Sequence, residues 1–318
     1  MYNIISLFDG MSCGQIAINH FLKPDDYKWY ASEIEQAPMK VTNYNFPGTI
    51  QLGDVRFITD EQIKNIGPIF MVMGGSPCTD FSIAGKRKGM STKENVNVTS
   101  LNQYLKLKSE GFEFIGQSYL FWEFVRIVTI AKPKYFLLEN VVMKGKNKFW
   151  ENIINNALDV RPIQINSALV SAQNRDRLYW TNIPNVTAPK DREIMLNDII
   201  WGGYGGYGER GVLNNNPTPG HTWRKKGAVR KDFKANCLTK SASCRYIQLL
   251  NGDIQPLSVR QCEFLQTVPR GYTNVPGITD NQKFNMLGNG WTIEVIKHIL
   301  SFSEELINHS MKKYKTIK

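Results

Sequence analysis

The sequence predicts an α/β fold with a mostly parallel central sheet, joined to a smaller lobe. Three observations carry this prediction. The chain opens on a short apolar run, Ile4–Leu7, a tight turn at Phe8-Asp9-Gly10, and the helical pattern Ile16, Ile18, Phe21. Further apolar runs of strand length follow, each ending in a chemically distinctive residue. Beyond Thr181 the composition turns to glycine, aromatic and basic residues.

The 318 residues suffice for one large domain, or a main domain with a lobe. Hydrophobic residues at 42% and charged residues at 21% are the proportions of a soluble globular chain. No apolar run nears the roughly 20 residues that span a bilayer, and MYNIISLF lacks the basic start of a signal peptide. Five cysteines without C-x-x-C spacing argue against a disulfide framework or zinc site and fit a reducing cytoplasm. A net charge of +11 and a pI near 9.3 attract polyanions. No basic amphipathic helix stands out, so nucleic acid is favoured over a membrane, with a merely soluble basic protein as the alternative.

Taken in order, the first turn is not G-x-G-x-x-G, which weakens a dinucleotide reading. Lys28–Ala31 reads as a second strand ending in Ser32-Glu33-Ile34, where an acid can hold a ribose hydroxyl pair. A solvated glutamate is the plainer alternative. A helical stretch through Val41 leads to the extended Thr49–Leu52 and to Gly53-Asp54-Val55. Asp54 can accept an adenine amino group while Val55 lines the ring, or it is an ordinary turn aspartate. Ile69–Met73 is a buried strand, cut off by Gly74-Gly75 and followed by Ser76-Pro77-Cys78. Pro77 fixes φ ahead of the thiol, so the sulfur is held; alone, it is equally a loop cysteine without a role. Thr79–Gln117 is long and polar, and is expected to be a mobile basic loop beside the thiol. Its candidate nucleic-acid contacts are Ser82, Lys86, Arg87 and Lys88.

Tyr119–Ile130 reads as a helix with Leu120, Phe121, Phe124, Val125 and Val128 on one face, and Leu120 alone near a cofactor. Tyr135–Leu138 is a buried strand ending in Glu139-Asn140-Val141, where a carboxylate needs a partner or a task. A helix near Lys148–Ala157 and a strand over Ile163–Val170 precede Gln173-Asn174-Arg175-Asp176-Arg177. Alternation there places Arg175 and Arg177 on one face; two solvated arginines are the alternative. In open parallel sheets ligands bind beyond the carboxyl ends of the strands. Phe8–Gly10, Glu33, Asp54, Cys78 and Glu139 all fall at such ends. One cleft would then hold two acidic grips for a nucleoside-like cofactor, a thiol and a carboxylic acid.

Trp201–Gly211 carries six glycines and two tyrosines, and Arg224, Lys225, Arg230, Lys231 and Lys234 follow. Close backbone approach, stacking rings and phosphate-neutralising lysines suit a nucleic-acid-reading lobe, with a plain basic loop as the alternative. Cys237–Ser241 and the extended Arg245–Leu250 continue the lobe, and Gln261–Thr267 is a short helix. Met286–Trp291 leads into a helix from Thr292 and can close the cofactor site. The tail MKKYKTIK is expected to fray. The implied division is a catalytic and cofactor domain over 1–180, a recognition lobe over 181–284, and a C-terminal return over 285–318.

A thiolate, a carboxylic acid and guanidinium donors suit attack on a polarised ring such as cytosine. Thiolate addition at C6 makes C5 nucleophilic, and a carboxyl on N3 with an arginine on O2 stabilises the charge that develops. The sulfur needs cationic neighbours or a helix N-terminus to lower its pKa, and a stacked base must first be flipped out.

From Ile4 to Leu300 the chain resembles DNA (cytosine-5) methyltransferases. The ordered matches are Phe8-Asp9-Gly10, Glu33, Gly53-Asp54, Pro77-Cys78, Glu139-Asn140-Val141, Gln173-x-Arg175-x-Arg177, Arg260 with Leu265-Gln266, and Gly288-Asn289-Gly290. Ser76-Pro77-Cys78 and Trp291 after the Gly-Asn turn are similar to the de novo-type animal enzymes, while the lack of a histone-reader segment suits a phage or bacterial setting. The resemblance implies a Rossmann-like class I methyltransferase fold, S-adenosylmethionine as cofactor, double-stranded DNA as partner, and neither metal nor membrane. It implies Cys78 as nucleophile, Glu139 as the N3 partner, and Arg175 and Arg177 serving O2 and orienting Glu139. Phe8, Asp9, Gly10, Met11, Cys13, Glu33, Ile34, Asp54, Val55, Pro77, Leu120, Asn289, Gly290 and Trp291 would form the cofactor site. Thr239, Lys240 and Ser241, with Arg224 and Lys225, would lie at the DNA groove.

Ser12 and Cys13 depart from the two glycines of many relatives, and Thr79 from the glutamine common after the nucleophile. The segment between Gly85 and Tyr119 is longer than usual and the lobe is short. The nearest rival is an RNA (tRNA) cytosine methyltransferase; the next is a silent DNA-binding regulator, against which the pairing of Cys78 with Glu139 argues.

Overall fold

A computed structural model describes residues 1–77, 90–94, 96–208 and 228–315. Seven strands make the main sheet: β1 (Tyr2–Leu7), β2 (Tyr27–Ser32), β3 (Ile50–Gln51), β4 (Ile69–Gly75), β5 (Tyr135–Val141), β6 (Ile163–Asn166) and β7 (Asp176–Thr181). Their spatial order is β3-β2-β1-β4-β5-β7-β6. The strands from β3 to β5 pair in parallel, and β7 runs antiparallel to both β5 and β6. The strand order reverses between β1 and β4, which opens the crevice where α/β sheets bind ligands.

Eleven α-helices lie among the described residues. They are α1 (Cys13–Ile18), α2 (Gln36–Asn45), α3 (Asp60–Asn65), α4 (Leu101–Ser109), α5 (Phe121–Ala131), α6 (Lys148–Leu158), α7 (Leu196–Ile199), α8 (Val259–Leu265), α9 (Asp280–Asn289), α10 (Ile293–Leu300) and α11 (Glu304–Lys315). Side-chain alternation divides the sheet between two cores. Ile4, Met71, Met73 and Leu137 pack on one face with the apolar side of α10. Ile5, Leu7, Val72 and Leu138 pack on the other with Phe121, Phe124 and Val125 of α5. None of these helices is long and apolar enough to cross a membrane.

Several elements differ from the sequence reading. Gly74 and Gly75 continue β4 instead of breaking it, pairing with Leu7 of β1 and with Leu138 and Glu139 of β5; glycine fits because a Cβ would meet Leu7 O at 2.9 Å in one case and Trp291 Nε1 at 3.0 Å in the other. The strand expected over Ile163–Val170 stops at Asn166, whose side chain accepts from Ala168 N and turns the chain into a 3₁₀ turn. Glu139 lies inside β5, opposite Tyr179 of β7. Helix α9 was not foreseen, although Thr279 and Gln282 form its capping box. The C-terminal tail stays helical through Lys315.

The largest correction concerns Thr79–Gln117. Residues 78–89 and 95 lie outside the described residues, but most of the remainder is ordered, with Met90, Val98 and Tyr104 buried. The anchor is Glu123, fully buried on α5. It accepts from Tyr104 Oη at 2.5 Å, Lys108 Nζ at 2.5 Å and Arg126 Nε at 2.7 Å. A buried carboxylate without such partners costs several kcal/mol, so α4 is held against α5.

A second, antiparallel sheet falls within 181–284: β8 (Gly203–Gly208), β9 (Ala228–Val229), β10 (Tyr246–Leu249) and β11 (Ile254–Pro256), ordered β11-β10-β8-β9. The glycine-rich stretch is therefore partly a strand. At Gly206 a Cβ would lie 2.5 Å from Asn236 N, so glycine there permits close backbone approach. Ile247 and Leu257 join the core cluster of the main sheet.

Candidate active site

Strand β4 leads through Ser76 and Pro77 to Cys78, which lies outside the described residues, as do Ser82, Lys86, Arg87, Lys88, Arg224 and Lys225. The backbone that presents Cys78 is fastened from β5. Asn140 Nδ2 donates to Ser76 O at 3.2 Å and to Ser76 Oγ at 3.1 Å, and both residues are buried. Asn140 was not foreseen as a site residue. Its sequence signal was an amide on a buried strand, which must find partners. Asn140→Ala is expected to cost about 1–3 kcal/mol of stability and to slow the chemical step at Cys78, with ligand affinity at the crevice kept. Denaturant unfolding and single-turnover rates check both parts.

Glu139 is 8% exposed. Its Oε1 accepts from Arg177 Nε at 2.9 Å and its Oε2 from Trp291 Nε1 at 3.3 Å. The antiparallel register sets Arg177 opposite Val141, within diagonal reach of Glu139. Arg175 and Arg177 share a face, as alternation predicts, and both reach Cys237 Sγ at 3.6 Å. Their tasks differ. Arg175 is 3% exposed and donates to Leu238 O at 2.9 Å, Gly288 O at 3.2 Å and Gly290 O at 2.9 Å. Expected with Arg177 to serve O2 and orient Glu139, it ties the lobe and the C-terminal return to the start of β7. Burial pushes the Cys237 thiol up, but Arg175 and Arg177 more than offset this and the net shift is downward.

A buried amide pair extends the tie. Gln173 Nε2 donates to Leu265 O and Gln266 Oε1, each at 3.1 Å, while its Oε1 accepts from Leu238 N at 2.8 Å. Gln266 Nε2 donates to Leu287 O at 2.6 Å and Gly290 O at 3.1 Å. A Cβ on Gly288 would come within 2.4 Å of the Thr239 carbonyl carbon, so the last turn of α9 lies directly on the Thr239-Lys240 backbone. Lys240 and Ser241 are exposed, and Lys240 Nζ lies 3.4 Å from Glu35 Oε1 across the cleft. Gly288 and Asn289 finish α9 instead of forming a turn; the turn falls at Gly290–Thr292, and Asn289 is exposed.

The cofactor side is built on three left-handed residues, Phe8, Gly10 and Ser12, with φ of 56°, 57° and 58°. Such φ is strained for the two that are not glycine, and local bonds hold it. Ser12 Oγ donates to Asp9 Oδ2 and accepts from Thr42 Oγ1 at 3.1 Å, while Trp29 Nε1 donates to Asp9 Oδ1 at 3.2 Å. Asp9, expected at the cofactor, is thus buried and braces the turn from inside. Met11 and Cys13 are also buried, beneath Gly290, and support the wall from behind. Burial pushes the Cys13 thiol up to about 12.

Burial likewise pushes the Asp9 carboxyl from 3.8 to about 6. The folded protein then keeps a proton that the unfolded chain has lost between these values, so stability falls as pH rises through that window. Relative to Asp9→Asn, the native protein is expected to lose about 2 kcal/mol between pH 4 and 7. Denaturant unfolding of both proteins across that range checks this; parallel profiles contradict it.

Phe8, Gly10, Glu33, Ile34 and Asp54 stand at the strand ends facing the crevice, with Val55 buried and Leu120 partly buried beside them. Glu33 Oε2 accepts from Gly10 N at 2.8 Å and retains capacity for a hydroxyl donor, while Oε1 accepts from Ile34 N and Glu35 N. Ile34 is 58% exposed, an open apolar side chain beside that carboxylate. Arg56 bonds both oxygens of Asp54 and holds its carboxyl below the usual range. A hydroxyl acceptor, an apolar face and a second carboxylate fit a nucleoside, with Arg56 sharing Asp54. Among the described residues no cluster of His, Cys, Asp or Glu could hold a metal.

A 3-2-1-4-5-7-6 sheet with an antiparallel seventh strand and this crevice is the Rossmann-like fold of class I methyltransferases, whose methyl donor is S-adenosylmethionine. The chain belongs to the C-5 cytosine-specific DNA methylase family, whose family model matches residues 2–192. It is 23% identical to the type II methyltransferase M1.ScrFI of Lactococcus lactis subsp. cremoris, over 98% of this chain and 80% of that one. To M.HindV of Haemophilus influenzae it is 24% identical over 93% and 94%. The crystal structure of the S. pombe Dnmt2 methyltransferase superposes with a TM-score of 0.64 at 16% identity, covering 97% and 100% of the two chains. That of Entamoeba histolytica EhMeth gives 0.60 at 15% identity, covering 97% and 98%. The protein is a cytosine-C5 methyltransferase.

Proposed function

We propose that the enzyme methylates C5 of a flipped-out cytosine in double-stranded DNA through a covalent Cys78–C6 adduct. The observation that carries this reading is Glu139 fixed by Arg177 and Trp291, beside a strand whose Cys78-bearing extension Asn140 fastens. Cys78 adds to C6 as thiolate while Glu139 gives a proton to N3, so that C5 gains enamine character without a buried anion. Arg177 holds the Glu139 carboxyl in place for that transfer. Phe8, Gly10, Glu33, Ile34 and Asp54 would hold S-adenosylmethionine, which when bound would offer its sulfonium methyl group to C5 and leave as S-adenosylhomocysteine. Loss of the C5 proton to solvent then expels the Cys78 thiolate, while N3 returns its proton to Glu139 and the ring regains its aromaticity.

The basic stretch with Ser82, Lys86, Arg87 and Lys88 and the lobe over 181–284 supply what base flipping requires, a phosphate grip and a groove contact through Thr239, Lys240 and Ser241. The bacterial type II relatives support a setting in which the methyl mark protects host DNA. Labelled S-adenosylmethionine with mixed-sequence duplex DNA and with tRNA tests the substrate. Label in 5-methylcytosine of the duplex is expected. Label confined to tRNA favours the RNA reading, and transfer to neither overturns both.

A further inference from the structure

Trp291 was expected in the cofactor wall, but its one polar side-chain atom is directed elsewhere. The indole is 8% exposed, and Nε1 donates to Glu139 Oε2 while Arg177 Nε holds Oε1. Donors from the turn before α10 and from β7 therefore grip the carboxyl from two sides and fix its plane. The last residue of β4 makes room for this arrangement. A Cβ on Gly75 would lie 3.0 Å from Trp291 Nε1 and 3.1 Å from Glu139 Oε2, so the pair would have to give way by a few tenths of an ångström. Bare backbone three residues before Cys78 thus forms the slot in which the pair closes.

The indole cannot swing away cheaply, because the residues on either side of it are tied down. Gly290 O accepts from Arg175 Nη2 at 2.9 Å and Gln266 Nε2 at 3.1 Å. Thr292 Oγ1 donates to Gln266 Oε1 at 2.8 Å and lies 2.8 Å from Ser167 Oγ. An indole N–H only donates, so the oxygen facing it always presents a lone pair there. With each carboxyl oxygen held by one donor, the directions left for a proton shared with a substrate are few.

We propose that Trp291 is a positioning residue for methyl transfer, its indole N–H aiming the Glu139 carboxyl at the substrate ring, with Gly75 as the slot that admits the contact. The proposal rests on the reading of Glu139 as the N3 partner. A cofactor-wall role and a positioning role for Trp291 separate in kinetics: the first weakens S-adenosylmethionine binding, the second lowers kcat with binding intact.

Trp291→Phe keeps the aromatic bulk and deletes the donor. At saturating cofactor and DNA, kcat is expected to fall about tenfold or more, with the S-adenosylmethionine Kd by calorimetry within about twofold of the native value. Gly75→Ala, which leaves both side chains chemically intact, is expected to lower kcat in the same selective way. A second arm needs no turnover. In full-length protein labelled on its 7 tryptophans, the indole resonance missing from Trp291→Phe identifies Trp291, and Glu139→Gln is expected to shift that resonance. Undiminished kcat in Trp291→Phe, a loss confined to cofactor affinity, or an indole resonance indifferent to Glu139→Gln each overturns the proposal. A native enzyme that transfers no methyl to DNA while the indole still responds to Glu139→Gln defeats the substrate reading and leaves the contact standing.

Discussion

Cys78→Ser is expected to reduce methyl transfer by at least about 10⁴-fold, because a hydroxyl is a far weaker nucleophile than a thiolate toward C6. The fold should be retained. Asn140 still fastens Ser76, and serine differs from cysteine by a single atom, so stability should stay within about 1 kcal/mol. Cofactor binding should also persist, since Phe8, Gly10, Glu33 and Asp54 lie beyond the ends of β1, β2 and β3 and not on the segment that carries Cys78. Single-turnover transfer beside denaturant unfolding and calorimetric cofactor binding separates these outcomes. A serine variant that turns over near the native rate removes the covalent step from the mechanism.

Glu139→Gln should slow the chemical step by about 10²–10⁴-fold, the usual worth of a positioned general acid. The amide keeps nearly the carboxyl shape and still offers an oxygen to Arg177 or Trp291, but it carries no acidic proton for N3. It also leaves a largely buried guanidinium without its carboxylate partner, so about 1–3 kcal/mol of stability should be lost. Cofactor affinity should hardly move, because Glu139 bonds to Arg177 and Trp291 and to none of the crevice residues. Full activity in this variant rejects the role given to Glu139.

The strands were readable because apolar runs of strand length mark them, although Gly74-Gly75 and Glu139, read as terminators, lie inside β4 and β5. Those signals located β1, β2, β4 and β5 and, through them, the crevice. What escaped depends on residues distant in sequence. The ordering of 90–117 comes from Tyr104 and Lys108 meeting Glu123 inside the protein, and a charge within an apolar helix face does not reveal its partners. Spacing likewise could not say which side chains of Phe8–Cys13 are buried; Asp9, Met11 and Cys13 are, beside the left-handed Phe8, Gly10 and Ser12. Arg175 reads as the twin of Arg177 until Leu238, Gly288 and Gly290 converge on it. The glycine-rich β8, placed in the lobe, carried no strand signal because its glycines serve backbone proximity, which has no local signature.

The covalent adduct is the claim on which the other roles depend. Duplex DNA carrying 5-fluorocytosine at the target position tests it most directly, because the C5 substituent can no longer leave as a proton and the methylated adduct cannot collapse. With S-adenosylmethionine, the protein should form a denaturant-resistant complex with this DNA, and peptide mass analysis should place the linkage and one added methyl on the Cys78 peptide. No stable complex with a duplex that is methylated when it carries ordinary cytosine, or a linkage through any other residue, would contradict the account.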